Sequence, residues 1–428
     1  EAAAWGTRML PRGTYDVQQE PGRTPALIFS VPGTGLYAGR EEDTVFFYGH
    51  LDKQPPATGW SEGLGPFTPV VRDGKLYGRG CSDDGYSVYA ALTAIRALED
   101  AGIPHPRAVG LIETREESGS NDLEHYLKKN AARFGSPRLV CVLDSGAGNY
   151  EQLWLTSSLR GACAIDLNVR VLRQGMHSGT ASGVVPSSFD VLRILLDRIQ
   201  DPRTGAILDP AFNVEIPSNR MDDLKKTAEV LGDGFISEFP WAEGPNGSVQ
   251  SRCRGTEEAL IARCWKPTLS VTGAAGLPPL SMAGNSLRSD TTLRLSFRLP
   301  PTAKTENILP ALQKKLLTDP PFNAVVSIAG GDALPGWNAP SEADWFRSAC
   351  DESSKALWGK PAMRIGEGGS IPILNLFEAQ FPRAQFAVTG VLGPGSNAHN
   401  ADESLDLAYT EKFIAAVGYL AASIPEEA

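Results

Sequence analysis

Thr44-Val45-Phe46-Phe47-Tyr48-Gly49-His50-Leu51-Asp52 is the stretch from which the fold can be read. Its apolar residues are consecutive rather than alternating, the pattern of a strand covered on both faces, and it ends on two polar side chains that project to the same side of the chain. Residues 26–31, 108–112 and 139–143 repeat that continuous pattern. Between the second and third of these four strands, Val88, Ala91, Leu92, Ile95 and Leu98 recur at helical spacing, and Gly102 and Pro104 stop the helix. Strand, helix, strand predicts an α/β fold: a mostly parallel sheet flanked by helices.

Near Gly161 the period changes. In residues 165–171 and 293–299 apolar and polar residues alternate strictly, so these strands have one wet face and belong to a second, antiparallel sheet. Val191, Leu192, Leu195, Leu196 and Ile199 supply the apolar stripe of a helix that covers its other face. After a Gly-, Pro- and Trp-rich stretch at 333–340, helical and strand patterns resume up to a final helix carrying Phe413, Ile414, Val417, Leu420 and Ala421. The expected organisation is a catalytic domain built from 1–159 and 339–428, interrupted by an α+β domain at 160–338. A chain of 428 residues is long enough for two such cores.

Composition narrows the partners. Forty Lys and Arg against fifty Asp and Glu give a formal net charge of -10, with no basic run to follow a phosphate backbone, so nucleic acid is not an expected partner. The longest uncharged apolar stretch, 413–424, is too short for a bilayer, and no membrane contact is expected. The six cysteines are scattered without a C-x-x-C pair and read as mostly structural thiols, with pairing left open. The chain starts at Glu1 inside a helical pattern, which reads as a trimmed N-terminus. A cytoplasmic location is expected, with periplasm or secretion left open.

The glycines at 33, 35 and 39 have the wrong spacing for a dinucleotide loop and read as a turn, and neither G-x-S-x-G nor a phosphate-binding G-x-x-x-x-G-K-[ST] loop is present. What remains is polar residues at strand ends. His50 and Asp52 follow the first quoted strand. Asp83 and Asp84 follow Gly78-Arg79-Gly80-Cys81-Ser82 and open the helix. Glu116 and Glu117 follow the strand at 108–112, Asp144 ends the strand at 139–143, and His399 lies in a Gly-, Pro- and Asn-rich loop. Singly, each has a structural explanation such as helix capping. Together they crowd carboxylates on one edge of a sheet, where cations must compensate them. Two imidazoles with several carboxylates suit zinc, or manganese or cobalt in its place, and a bridging carboxylate suits a two-metal site.

Gly49-His50-Leu51-Asp52, Gly78 to Gly85, Glu116-Glu117-Ser118-Gly119-Ser120, Asp144 and Ala398-His399 together resemble the motif series of the dinuclear zinc peptidases. That family includes carnosinase-type dipeptidases, glutamate carboxypeptidases, aminoacylases and succinyl-diaminopimelate desuccinylase. The resemblance covers nearly the whole chain in order, and is nearest to the carnosinase-like and cytosolic nonspecific dipeptidases. It implies two divalent metal ions per subunit, with Asp83 bridging, His50 and Asp144 completing one site, and Glu117 and His399 the other. Asp52 would orient His50, and Glu116 would be the general base that moves a proton from a water to the leaving nitrogen.

The same resemblance makes the inserted domain a lid and the interface of a homodimer. His177, in Gly175-Met176-His177-Ser178-Gly179, would reach across that dimer to the oxyanion. Asn285 and Arg298 match positions that hold substrate, and Ser370, in Gly368-Gly369-Ser370-Ile371-Pro372, matches a loop touching the substrate carboxylate. The implied substrate is a dipeptide or other short peptide with a free C-terminal carboxylate; the alternative is an N-acyl-amino acid, for a deacylase or glutamate-type carboxypeptidase with the same metals. Tyr86 departs from the Lys-Gly version of its turn, and the segment before His50 is short. His105 and His125 match no motif and are expected at the surface.

Overall fold

The computed structural model describes residues 1–41, 43–371 and 373–425; Glu42, the Pro372 that ends the expected substrate loop, and the last three residues of the expected catalytic domain lie outside them. The chain forms two compact units. Glu1–Ser157, Ala339–Ile365 and Ile373–Ala428 make one, and Ser158–Asn338 with Gly366–Pro372 make the other. The second unit therefore takes, besides the central part of the chain, the short segment that carries Ser370.

In the first unit a six-stranded sheet has the order Thr14–Gln18, Ala26–Val31, Arg107–Glu113, Asp43–His50, Ser136–Val142, Gln385–Val388. The last four strands are parallel, in register Val45 with Ala108 and with Leu139. The first two run antiparallel to their neighbours. Continuous apolar runs report coverage on both faces, not direction, which is why Ala26–Val31 looks in sequence like its parallel neighbours. Val45, Phe46, Phe47 and Tyr48 are all buried. Phe46 packs its ring 5.0–5.4 Å from Phe134, Phe377 and Phe381, so this strand is the centre of an aromatic core.

Helix Ser87–Asp100 buries Val88, Ala91, Leu92, Ile95 and Leu98 and packs against the C-terminal helix Leu407–Ala422. Its start lies hard against the end of the central strand. A Cβ on Gly49 would sit 2.1 Å from Ser87 Oγ and 2.5 Å from Asp84 Oδ2, so only glycine lets the helix approach this close. That approach sets the Asp83–Asp84 turn beside His50.

In the second unit Thr268–Ala275, Asp290–Leu299, Gly161–Arg170 and Val325–Leu334 form an antiparallel sheet in that order. The alternation has its expected meaning. Ile165, Leu167, Val169, Leu293, Leu295 and Phe297 face a core shared with the helices Ser188–Asp197 and Ile308–Leu317, while Asp166 and Arg294 pair across the open face at 2.7 Å.

One expectation is corrected. His105 is fully buried, not on the surface. The neighbouring carbonyl of Pro106 lies 2.7 Å from its Nδ1 and Glu99 3.6 Å from its Nε2, so the ring has polar neighbours inside, and burial pushes its pKa down. His125 is half-buried, 2.7 Å from Glu20. All six cysteines are free thiols, with Cys141, Cys163, Cys264 and Cys350 buried. Among the described residues no helix is long and apolar enough to cross a membrane.

Candidate metal centre

The parallel register brings the ends of three strands together. His50 is the last residue of its strand, paired with Glu113, and Leu51 continues the ladder by donating to the Glu113 carbonyl at 2.9 Å. Leu143 donates to the Tyr48 carbonyl at 3.2 Å, which sets Asp144 at the same level. Glu116–Ser118 is a single helical turn just past Glu113. The Asp52 carboxylate accepts from the backbone N–H of Glu116 at 3.1 Å and of Glu117 at 3.0 Å, capping that turn. His399 reaches the cluster from a loop in which Asn397, His399 and Asp402 all have left-handed φ, 54, 65 and 58°.

Two donor sets result. His50 Nε2 lies 3.3 Å from Asp83 Oδ1 and 3.7 Å from Asp144 Oδ2. His399 Nε2 lies 2.7 Å from Asp83 Oδ2 and 3.5 Å from Glu117 Oε2. Asp83 thus gives one oxygen to each set. Within each set the three candidate ligand atoms fall within 4.8 Å of one another, close enough to hold one metal ion.

The electrostatics are those of a site short of positive charge. Burial, with Asp83 and Glu117 close by, pushes Asp144 up to about 7 against the pull of His50. Burial and the Asp144 charge push Glu116 up to about 8. Burial works against a charged His50, yet the carboxylates of Asp52, Asp83 and Asp144 overcome it and push the ring up to about 12. Burial also opposes a charged Asp83, but His50 and His399 outweigh it and hold its pKa down. In addition, His50 Nε2 is buried with no hydrogen-bond partner. An orphaned imidazole nitrogen facing buried carboxylates is the donor set a divalent cation fits, and the residues present fit two such ions.

The two donor sets are made of His50, Asp83, Asp144, Glu117 and His399, and Asp52 stands behind both His50 and the Glu116–Glu117 turn. Its backbone oxygen lies 3.1 Å from His50 Nδ1, nearer than its carboxylate at 3.5 Å, because the carboxylate is occupied by the Glu116–Glu117 turn. Two neighbours were given no role from sequence. Gln54 donates to Glu117 Oε2 at 2.6 Å, and Asp84 Oδ2 accepts from the His50 backbone N–H at 3.0 Å. Asp84 stands inside a quoted motif, but Gln54 heads a Pro-rich loop, and its only sequence signal is its place two residues after Asp52.

In the second unit the expected substrate residues fall in two pairs. Met176–His177 forms a short antiparallel ladder with Ser286–Leu287, and Ser178 donates to the Asn285 carbonyl at 2.9 Å, so exposed His177 and Asn285 are neighbours. Arg298 Nη1 donates to Ser370 Oγ at 3.1 Å, and Ser370 Oγ donates to the Arg160 carbonyl at 2.5 Å. Arg160, not anticipated from sequence, is buried and donates to the Gly368 carbonyl at 3.2 Å. Burial pushes its pKa down to about 10, with Arg298 adding to the shift.

Comparison with known proteins gives a consistent set. The sequence pattern of Peptidase family M20/M25/M40 matches residues 46–424. The chain is 28% identical over 378 residues to the Cys-Gly metallodipeptidase of Schizosaccharomyces pombe, covering 85% of this chain and 76% of that protein. It is 26% identical to the Beta-Ala-His dipeptidase of Homo sapiens, over 92% of this chain and 76% of the relative. Among solved structures, human carnosine dipeptidase 1 superposes with a TM-score of 0.72 at 21% identity, covering 98% of this chain and 89% of that one. An M20 family metallo-carboxypeptidase from Sulfolobus solfataricus gives 0.76 at 22% identity, with 99% and 92% covered. At these identities the two structures bear on the fold alone.

Proposed function

Since the chain belongs to peptidase family M20/M25/M40, we propose that it is a metallodipeptidase, hydrolysing the amide bond of dipeptides or other short peptides with a free C-terminal carboxylate. The observation that carries this is the division of Asp83: its two carboxylate oxygens face two separate imidazole and carboxylate sets. In this reading His50, Asp83 and Asp144 hold one divalent cation and Asp83, Glu117 and His399 the other, most naturally zinc, with manganese or cobalt as substitutes. When bound, such ions supply Lewis acidity, lowering the pKa of a water and polarising the scissile carbonyl.

The chain's own residues do the rest. Glu116 belongs to neither donor set yet sits next to Glu117 in the same turn, so its carboxylate is free to take a proton from the attacking water and return it to the leaving nitrogen. Asp52 fixes that turn through two backbone N–H groups and keeps the His50 ring in orientation. The Arg298 guanidinium, with Ser370 beside it, grips the terminal carboxylate. The second unit acts as a lid and as the interface of a homodimer, through which exposed His177, with Asn285 next to it, serves the reacting carbonyl of the partner subunit.

Glu116→Gln keeps the size of the side chain and removes the base. Turnover is expected to fall by about 10²–10⁴-fold while both cations remain bound, as read by steady-state kinetics and metal analysis of the same preparation. Substantial residual turnover would remove Glu116 from this role. A panel of dipeptides against N-acetyl and N-succinyl amino acids tests the substrate class: faster turnover of the acyl compounds would make the protein a deacylase on the same metal centre.

A further inference from the structure

In contact with the backbone of Asp83 lies an ion pair that the chemistry above does not use. Arg79 and Glu403 are both buried and meet at 2.5 Å, far from each other in sequence. Glu403 Oε1 accepts from Ser82 Oγ at 3.2 Å and from the backbone N–H groups of Ser82 and Asp83, each at 3.3 Å. The Glu403 carbonyl accepts from the Gly78 N–H at 3.1 Å. On the other side Arg79 donates from Nη2 to the Asn400 carbonyl at 3.1 Å and from Nε to the Pro55 carbonyl at 3.2 Å.

The pair therefore joins three segments. One is the turn that presents Asp83, one the loop that presents His399, and one the segment after the central strand that carries Gln54, the donor to Glu117. Asp83 is reached directly at its backbone, His399 through its chain neighbour Asn400, and Glu117 more remotely, through the Gln54 side chain next to Pro55. The turn and the loops have little regular structure to hold them, and His399 stands in a left-handed conformation that its surroundings must maintain. A planar guanidinium with a carboxylate partner is the rigid element suited to fixing such loops against each other.

We propose that Arg79 and Glu403 act as a positioning pair for the Asp83–Glu117–His399 set: they fix the separation of Asp83 from His399 and thereby the affinity of that set for its cation. This rests on the reading of the two donor sets as a two-cation centre. It assigns neither residue to the ligands or to the reacting atoms, and it sets this pair apart from an ordinary buried ion pair. Arg364 and Glu342 offer the contrast within the same unit. They too are largely buried and meet in two parallel contacts of 2.9 and 3.0 Å, but Arg364 donates onward to Asp351 and the Ala362 carbonyl, which belong to neither donor set.

The test is zinc titration of the metal-stripped full chain, against a competing chelator, for wild type, Glu403→Gln, Arg79→Lys and Glu342→Gln, with thermal unfolding of each metal-free protein. Wild type is expected to take up two ions. Glu403→Gln is expected to weaken one of them by about 10–100-fold, as loss of a group that orients ligands does. Arg79→Lys, which keeps the charge but not the fork, is expected to weaken the same ion by less, and Glu342→Gln to lower the melting temperature with both affinities intact. Unchanged affinities in Glu403→Gln and Arg79→Lys would overturn the proposal, as would an equal loss in Glu342→Gln. If Glu403→Gln does not fold, Arg79→Lys decides in the same way. Wild type that binds no divalent ion would overturn the two-cation reading itself, and the positioning pair with it.

Discussion

His50 and His399 face the same carboxylate from two different kinds of backbone. His50 ends a central strand, is fully buried, and has its backbone N–H and its ring Nδ1 both engaged, by Asp84 and by the Asp52 carbonyl. His399 keeps 53% of its side chain exposed, on a loop with left-handed residues on either side of it. One donor set is thus built by the register of a parallel sheet and stands ready before any ion arrives. The other is completed by a loop, and its geometry is only as good as the contacts that hold that loop. The teaching is that two cation positions sharing one bridging residue need not be equally rigid, and stability and metal affinity should separate accordingly.

The largest effects should come from removing each imidazole in turn. His50→Ala takes a side chain out of a closed space and leaves Asp83 and Asp144 facing each other there, so a loss of about 3 kcal/mol in folding stability is expected together with loss of a cation. His399→Ala removes an exposed group and should change the stability of the metal-free protein by no more than about 0.5 kcal/mol, while still losing a cation. Chemical denaturation of the stripped variants, paired with metal content, reads both. Equal losses of stability would break the contrast between the sets.

A smaller effect sharpens it. Gly49→Ala places a methyl group within 2.5 Å of Ser87 and Asp84, so the start of the helix must move away from the end of the strand. Overpacking of this kind is expected to destabilise by about 1–3 kcal/mol. Because Asp84 holds the His50 N–H, cation affinity should fall further in the His50 set than in the His399 set. A uniform fall in both, measured by the same titration, would mean that the turn moves as one piece with Asp83.

How far the sequence disclosed all this follows from the same physics. Buried strands announce themselves by unbroken apolar runs and half-buried ones by alternation, so the two sheets and the polar residues at their ends were legible from the residues at 44–52, 165–171 and 293–299. Direction is not written in such runs, and the antiparallel course of Ala26–Val31 was invisible. Ligands were legible because they stand in short motifs next to strands. Gln54, Arg160 and Glu403 were not, nor was the part Arg79 plays inside its motif, since their partners lie far off in sequence and nothing local marks a carboxylate 324 residues away as the partner of Arg79. His105 misled for a related reason: flanked by two prolines it reads as loop, yet the carbonyl of one of them is what partners its ring.

The turn that carries Glu116 and Glu117 lies between these extremes, and its far anchor allows a last distinction. Buried Asp122 accepts from Arg23 Nη1 at 2.7 Å, from the Thr24 N–H at 3.1 Å and from Arg115 Nη1 at 3.2 Å, the residue just before Glu116. Burial opposes its charge, but the Thr24 donors and the two guanidinium groups prevail and hold its carboxyl down to about 2. A depressed carboxyl contributes stability that is fully present above its ordinary value near 3.8 and is lost as the pH falls through about 2. Asp122→Asn should therefore cost about 2 kcal/mol at neutral pH, and the gap from wild type should close between about pH 4 and pH 2 in denaturation measured across that range. Since Arg115 is tied to this carboxylate while Asp52 caps the turn from the other side, the variant should weaken cation binding at the Glu117 set slightly and leave the His50 set unchanged. A gap that persists at pH 2 would mean that the hydrogen bonds of Asp122, and not its charge, hold the turn.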